Sequence, residues 1–329
     1  MPGDPSGKET IVVALGGNAI LKPGEKGTFA EQMTNIGHTA VQLARLICEG
    51  KQLIITHGNG PQVGRIFRQQ ELGVQAGLPE MPLYICGAMS QAQIGVMIQQ
   101  AMHNELVLAG CPKTVVTMIC QTLVDQESAA FRDPTKPIGS FYSEEEALKA
   151  MTEKGETWKE DGGRGWRRVV PSPEPLEIPE IKAVKLLIKK DVNVIVSGGG
   201  GTPVARNSGG TVAGVDAVVE KDLVAQEVAR AVAADTLLIL TDVKHAKINY
   251  RTPQEQKLGE ISLAEAKEYH RQGHFQPGSM GPKVLAAIRF VESGGGKAVI
   301  TSLEDALSGA EGKTGTIIKR SGAADGSPG

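Results

Sequence analysis

The order of apolar segments predicts an α/β fold: a mainly parallel sheet covered on both faces by helices, with a small inserted subdomain projecting from it. Three observations carry this expectation. Short apolar runs rich in β-branched residues lack strict alternation, as strands buried on both faces do. Segments with helical period or helical punctuation lie between those runs. One long polar, proline-bearing stretch, 125–175, interrupts the rhythm.

Strands are expected at 11–15, 53–56, 114–119, 192–196, 237–240 and 298–301. A helix over 34–49 places Ile36, Ala40, Leu43 and Ile47 on one side and stops at Gly50, a C′ glycine. A second over 90–109 stops in the same way at Gly110. Ser143 with Glu146, and Ser262 with Glu265, match the capping box. Further helices are expected over 179–190, 216–233 and 282–292. The stretch 125–175 contains Pro134, Pro137, Pro171, Pro173 and Pro175 and both tryptophans, Trp158 and Trp166. A structureless loop of that length is improbable in a compact fold, so it is expected to form a subdomain of its own.

The 329 residues correspond to two units at about 150 residues each, or to one large α/β unit with an insertion. A chain of this size buries roughly three-quarters of its unfolded surface and needs no staple to fold. With 35 Lys and Arg against 37 Asp and Glu, the formal charge is −2, which excludes a global footprint for nucleic acid. Cys48, Cys86, Cys111 and Cys120 form no C-x-x-C pair and read as reduced core thiols. No apolar run approaches the roughly 18 residues that span a bilayer, so a cytoplasmic protein with no membrane contact is expected. Residues 1–8 and 321–329 read as flexible polar tails.

Glycine is the compositional outlier, with 41 residues. Three expected strands run straight into glycine turns: 11–15 into Gly16-Gly17-Asn18, 53–56 into His57-Gly58-Asn59-Gly60-Pro61, and 192–196 into Ser197 and the glycines 198–201. In an open parallel sheet such turns converge beyond the carboxyl ends of the strands, where backbone N–H groups can cradle an anion. Familiar phosphate motifs fail. Gly312-Lys313-Thr314 has Leu307 where a Walker A loop needs glycine, and the 58–64 glycines carry one spacer too many for a dinucleotide fingerprint. His270 and His274 have metal-ligand spacing, but Gly273 ends the helix between them, so no protein-held metal is expected.

Phosphoryl transfer needs cations rather than a nucleophile, because charge spreads over the moving PO3 group. Two lysines stand in suggestive places: Lys221-Asp222 after 214–220, and Lys283 in Gly278-Ser279-Met280-Gly281-Pro282-Lys283, where Pro282 opens a helix.

Together these segments resemble the carbamate kinases, a branch of the amino-acid kinase family. The likeness runs through Ala14-Leu15-Gly16-Gly17-Asn18-Ala19, the 57–64 turn, Gly87-Ala88-Met89-Ser90-Gln91 and Pro134-Thr135-Lys136-Pro137. It continues through 160–173 with Arg164, 198–201, Lys221-Asp222-Leu223 and 277–283, covering 11–319. The resemblance implies an open, three-layer αβα sandwich, the amino-acid kinase fold. The kinase domain would be 9–320. A carbamate or carbamoyl-phosphate lobe would comprise 9–124 and 176–213, the projecting subdomain 125–175, and the nucleotide lobe 214–320.

It also implies reversible phosphoryl transfer, ATP + carbamate ⇌ ADP + carbamoyl phosphate, with Mg2+ accompanying ATP or ADP, used toward ATP in arginine fermentation by a homodimer. Lys221 and Lys283 would stabilise the moving phosphoryl group and Asp222 would hold them. Gly16, Gly17, Asn18, Gly58, Asn59, Gly60, Gly199 and Gly200 would surround the substrate, and Lys136 would reach in from the subdomain. Asp242, Val243, Tyr250, Met280 and Gly281 would hold the nucleotide, together with Lys283. His57 is a turn residue, since carbamate is already an anion and needs no base. Glu220 and Thr202 stand where the family commonly has Asp and Ile, and the basic 244–247 stretch is unusual. Two alternatives stay open: a kinase of the same fold for a larger carboxylate, and a non-catalytic nucleotide-binding regulator.

Overall fold

A computed structural model describes residues 7–320, without the side chain of Ser140. The tails expected at 1–8 and 321–329 fall outside the described residues, apart from Gly7 and Lys8. The central sheet contains β1 (Thr10–Leu15), β2 (Gln52–His57), β3 (Thr114–Thr117), β4 (Val192–Ile195), β5 (Thr236–Thr241), β6 (Glu260–Ser262), β7 (Lys297–Ser302) and β8 (Thr316–Lys319). Their order is β6-β8-β7-β5-β1-β2-β4-β3. Every pairing is parallel except β7 with β8. All six expected strands are present. The short β6 and β8, at one end of the sheet, were not expected because their apolar signal spans too few residues.

The principal helices are α1 (Phe29–Cys48), α2 (Gly60–Gln75), α3 (Leu83–Leu108), α4 (Ile181–Lys189), α5 (Lys221–Val232), α6 (Leu263–Arg271) and α7 (Met280–Glu292). Successive side chains of a strand point to opposite faces. Ile11, Val13 and Leu15 therefore pack with Ile36 and Leu43 of α1 and Ile94 and Ile98 of α3. Val12 and Ala14 pack on the other face with Val224 and Val228 of α5 and Val284 and Ala287 of α7. The result is the three-layer αβα sandwich, and its strands read as unbroken apolar runs because both faces are covered.

Several expected boundaries are corrected. Helix α1 starts before residue 34, at a Thr28–Glu31 capping box overlooked in the sequence. Helix α3 starts before residue 90, at Pro82 as N-cap. The helix expected from 216 begins only at Lys221. Residues 216–220 instead run extended, with Ala217 and Val219 buried, which carries the chain from the glycine turn to the cleft before the helix opens. Cys86 and Cys120 are buried as expected, but Cys48, at the end of α1, is exposed rather than a core thiol.

Residues 125–175 form an antiparallel sheet of Lys136–Tyr142, Trp166–Val170 and Thr157–Glu160, with the helix Glu144–Lys154 beside it. That helix opens on the Ser143–Glu146 capping box. Trp158 is buried, edge-on to Tyr142 with ring centroids 5.1 Å apart. Ile138 and Val170 of this insert join a cluster with Val63 and Ile66 of α2 and Leu83 and Cys86 of α3. Its two ends close on each other, because Leu176 N–H donates to Leu123 O at 2.9 Å and Leu123 N–H to Glu177 O at 2.8 Å.

Candidate active site

The three glycine turns meet beyond the carboxyl ends of β1, β2 and β4. A Cβ on Gly58 would stand 3.5 Å from Gly17 N, one on Gly198 only 2.2 Å from His57 Nε2, and one on Gly199 only 2.0 Å from Asn59 Nδ2. The 198–201 turn also uses the left-handed region, with φ of 65° at Gly199 and 93° at Gly200. Not every predicted donor is available. Gly16 N–H donates to Leu240 O at 2.8 Å, Gly58 N–H to Leu15 O at 3.1 Å and Gly200 N–H to Ser197 O at 3.1 Å. The amides of Gly16, Gly58 and Gly200 are thus engaged within the fold, and any part these glycines take in the site is through the close approach of their backbone. Gly17 and Gly60 are exposed at their turns, Asn18 is half-buried, and Asn59 is buried with its side chain donating to Ser90 Oγ at 2.7 Å.

Both predicted lysines converge on one carboxylate. Lys221 Nζ lies 2.6 Å from Asp222 Oδ1, and Lys283 Nζ lies 3.1 Å from Asp222 Oδ2. Asp222 is 1% exposed, and the lysine side chains are 11% and 16% exposed. Lys221 opens α5 and Lys283 sits in the first turn of α7, so two helix N-termini deliver cations to one point. Burial pushes the Asp222 carboxyl up, but the two ammonium groups outweigh it and hold the carboxyl below its ordinary value. Burial lowers Lys221 below the ordinary lysine value against the pull of Asp222, and the like charge of Lys283 adds to the lowering.

Lys136 arrives from the insert, with its Nζ 2.5 Å from Glu220 Oε2, one residue before Lys221. His57 is 1% exposed, and burial brings it down to about 4, so it is neutral at pH 7. Its Nδ1–H donates to Gly58 O at 2.9 Å. That bond and its contact with Gly198 make it a support for the turn, not a base.

A cavity of about 630 Å3, a size ordinary for small-molecule sites, opens beside the first of the glycine turns, and residues 57–61, 197–201, Lys136, Lys221 and Asp222 are not part of its wall. Its wall includes Gly16, Gly17, Asn18, Asp242, Val243, Tyr250, Met280 and Lys283, gathering most of the predicted nucleotide residues on one surface. Gly281 is the exception. It is buried off the wall, where a Cβ would stand 2.9 Å from Gln276 O, so it serves the entry into α7. Lys22, His38 and Glu304 also line the cavity and were missed, and Lys247, from the unusual basic stretch and in the short strand Lys247–Ile248, lines it too. The three missed residues lie on loops and a helix flank without motif or periodicity, and only the fold brings them together. His274 lines it too, beyond the Gly273 that ends the helix before it.

Among the described residues no cluster of three or more His, Cys, Asp or Glu is arranged to hold a metal ion. Both Asp222 oxygens are occupied by lysines. This donor set fits Mg2+ only as an ion carried on nucleotide phosphates, the usual habit of an ion that keeps several waters.

Residues 9–302 match the Amino acid kinase family. The chain is similar to the carbamate kinase of Thermococcus kodakarensis, with 52% identity over 312 residues, 94% of this chain and 99% of that protein. It is similar to the carbamate kinase of Pyrococcus horikoshii at 50% identity over 311 residues, 94% of this chain and 99% of the relative. Among solved structures, carbamate kinase from Giardia lamblia bound to AMP-PNP superposes with a TM-score of 0.91 at 46% identity, covering 96% of this chain and 100% of that one.

Proposed function

From membership of the amino acid kinase family, to which this chain belongs, we propose that the cleft catalyses ATP + carbamate ⇌ ADP + carbamoyl phosphate. The enzyme is a phosphotransferase of the carbamate kinase type. A carbamate oxygen attacks the γ-phosphorus as the bond to the ADP oxygen breaks, and the reverse step returns the phosphoryl group to ADP. Carbamate carries its charge already, so no proton has to be removed, in keeping with a neutral, buried His57. What the chain must supply is positive charge between two anions that repel each other, held in place before the reaction begins.

The observation that carries this reading is the pair of Nζ atoms at 2.6 and 3.1 Å from the two oxygens of buried Asp222. Lys221 and Lys283 stabilise the moving PO3, and Asp222 fixes them. Gly17, Asn18, Asn59 and Gly60 face the carbamoyl side, with Lys136 above them. Asp242, Val243, Tyr250 and Met280 hold the nucleotide, whose phosphates bring Mg2+; that ion supplies further charge neutralisation when bound. The carbamoyl side belongs to 9–124 and 176–213 and the nucleotide side to 214–320.

The reading extends to a cytoplasmic homodimer that makes ATP in arginine fermentation. No helix among the described residues is long and apolar enough to cross a membrane. Light scattering tests the dimer. For the reaction itself, ATP formation from ADP and carbamoyl phosphate is followed in a coupled assay with Mg2+, with N-acetylglutamate as competitor. Turnover unaffected by the competitor is expected. No turnover, or phosphorylation of the larger acid in its place, would overturn the assignment.

A further inference from the structure

We infer that Glu220 is a positioning residue that holds Lys136 over the phosphoryl-transfer centre, so that affinity for the anionic substrate depends on Glu220 through Lys136. This rests on the carbamate kinase reading and deepens it. Glu220 is the residue immediately before Lys221 and forms the N-cap of α5. Its side chain makes no capping bond there. It turns instead to the insert, where Oε2 accepts from Lys136 Nζ at 2.5 Å.

A carboxylate beside a site for anions is costly unless something offsets it, because like charges at short range repel. Lys136 is that offset, and an ammonium group has three donors. One goes to Glu220, which leaves two for an incoming phosphate or carbamoyl oxygen.

The rest of the insert is braced in the same place. Val218 N–H, two residues before Glu220, donates to Pro171 O at 3.0 Å. Glu174, in the irregular segment after the strand Trp166–Val170, accepts from Arg289 Nη1 at 2.5 Å. Arg289 belongs to α7, the helix that carries Lys283. One backbone bond ties the insert to the segment before α5 and one exposed side-chain pair ties it to α7, and the Glu220–Lys136 pair sets where the end of a long side chain rests. Each side chain is partly open to water, at 30% for Lys136 and 21% for Glu220. An exposed pair of this kind adds little to stability, which leaves placement as its consequence.

The competing expectation has the opposite sign. If Glu220 were only a negative neighbour of the site, its removal would strengthen anion binding and lower KM for carbamoyl phosphate. If it positions Lys136, Glu220→Ala raises that KM by about five- to tenfold, in keeping with the net loss of one hydrogen bond in a partly solvated site, with the larger part of the loss in KM rather than kcat and KM for ADP little altered.

The test is initial-rate kinetics of ATP formation for the wild type, Glu220→Ala, Glu220→Asp, Lys136→Ala and the double alanine variant. Support consists of a raised KM in Glu220→Ala, recovery toward wild type in Glu220→Asp, and a double variant no worse than Lys136→Ala alone. The inference is overturned by an unchanged or lowered KM in Glu220→Ala, by additive effects of the two alanine changes, or by an unaffected Lys136→Ala. A wild type without turnover sinks the assigned reaction instead, so the two failures are distinguishable. Circular dichroism of each variant separates misfolding from a kinetic effect, and Glu220→Asp keeps the charge should Glu220→Ala fail to fold.

Discussion

Two cation stations are joined through the adjacent residues Glu220 and Lys221 and are built differently. Lys221 and Lys283 share Asp222, which is 1% exposed, and lie on helices of the main body. Lys136, 30% exposed, rides on the insert that packs against α2 and α3, and pairs with a Glu220 that is itself 21% exposed. The first pair is preorganised by burial, and its cost is visible as a lowered Lys221. The second is held by a contact that water and substrate can compete for. Fixed charge of the first kind lowers the barrier, because nothing has to reorganise as the phosphoryl group moves. On the proposed reading, adjustable charge of the second kind governs how tightly the anion is held before it moves.

The comparison breaks if Asp222→Asn is mild. The change strips two buried ammonium groups of their shared counter-ion, so kcat is expected to fall by about 100-fold or more and stability by about 3–5 kcal/mol. Steady-state kinetics and urea unfolding read both. A smaller effect is expected from Lys136→Ala, where KM for carbamoyl phosphate rises about tenfold and kcat changes less. Equal losses in kcat for Lys136→Ala and Lys221→Ala would erase the distinction between the stations.

The pH profile sharpens it further. Lys221 lies below the ordinary lysine value of 10.5 because burial disfavours its charge, so the alkaline limb of kcat/KM should set in below pH 10.5. A limb at or above that value would remove the burial argument.

A change confined to stability comes from His57. Its folded value is lowered from 6.5 to about 4, so between those values the unfolded chain binds more protons and stability falls with falling pH. The stability that a neutral His57 contributes is fully present above pH 6.5 and lost as pH drops through about 4. Urea unfolding at pH 7 and pH 5 should show a loss that is smaller in His57→Gln. The smallest effect expected is from thiol reagents. None of Cys48, Cys86, Cys111 or Cys120 lines the cavity, so modification of exposed Cys48 should leave ADP binding, read by calorimetry, within about twofold.

Much of this was legible in the sequence for identifiable reasons. Strands β1, β2, β4 and β5 are buried on both faces, which forces unbroken apolar runs, and the glycines that follow are demanded by contacts such as Gly199 against Asn59. Lys283 could be singled out because it follows a glycine turn that opens a helix, whereas Lys221 stood inside a segment expected to be helical from 216 and its place at a helix start emerges only in the fold. What escaped has no local signature. The committed amides of Gly16 and Gly58 are decided by strands distant in sequence, β5 and β1. Lys22 and His38 reach the cavity only through the packing of α1 and its preceding loop. The Lys136–Glu220 pair joins residues 84 positions apart. The late start of α5 is set by tertiary burial of 216–220, which overrides the helical reading of that segment.

The most direct measurement is single-turnover phosphoryl transfer from carbamoyl phosphate to Mg·ADP by the wild type, Lys221→Ala and Lys283→Ala at saturating substrate. Two ammonium groups fixed on Asp222 predict transfer at least about 100-fold slower in each variant with ADP still bound. Transfer near the wild-type rate in both would show that the chemistry does not depend on them.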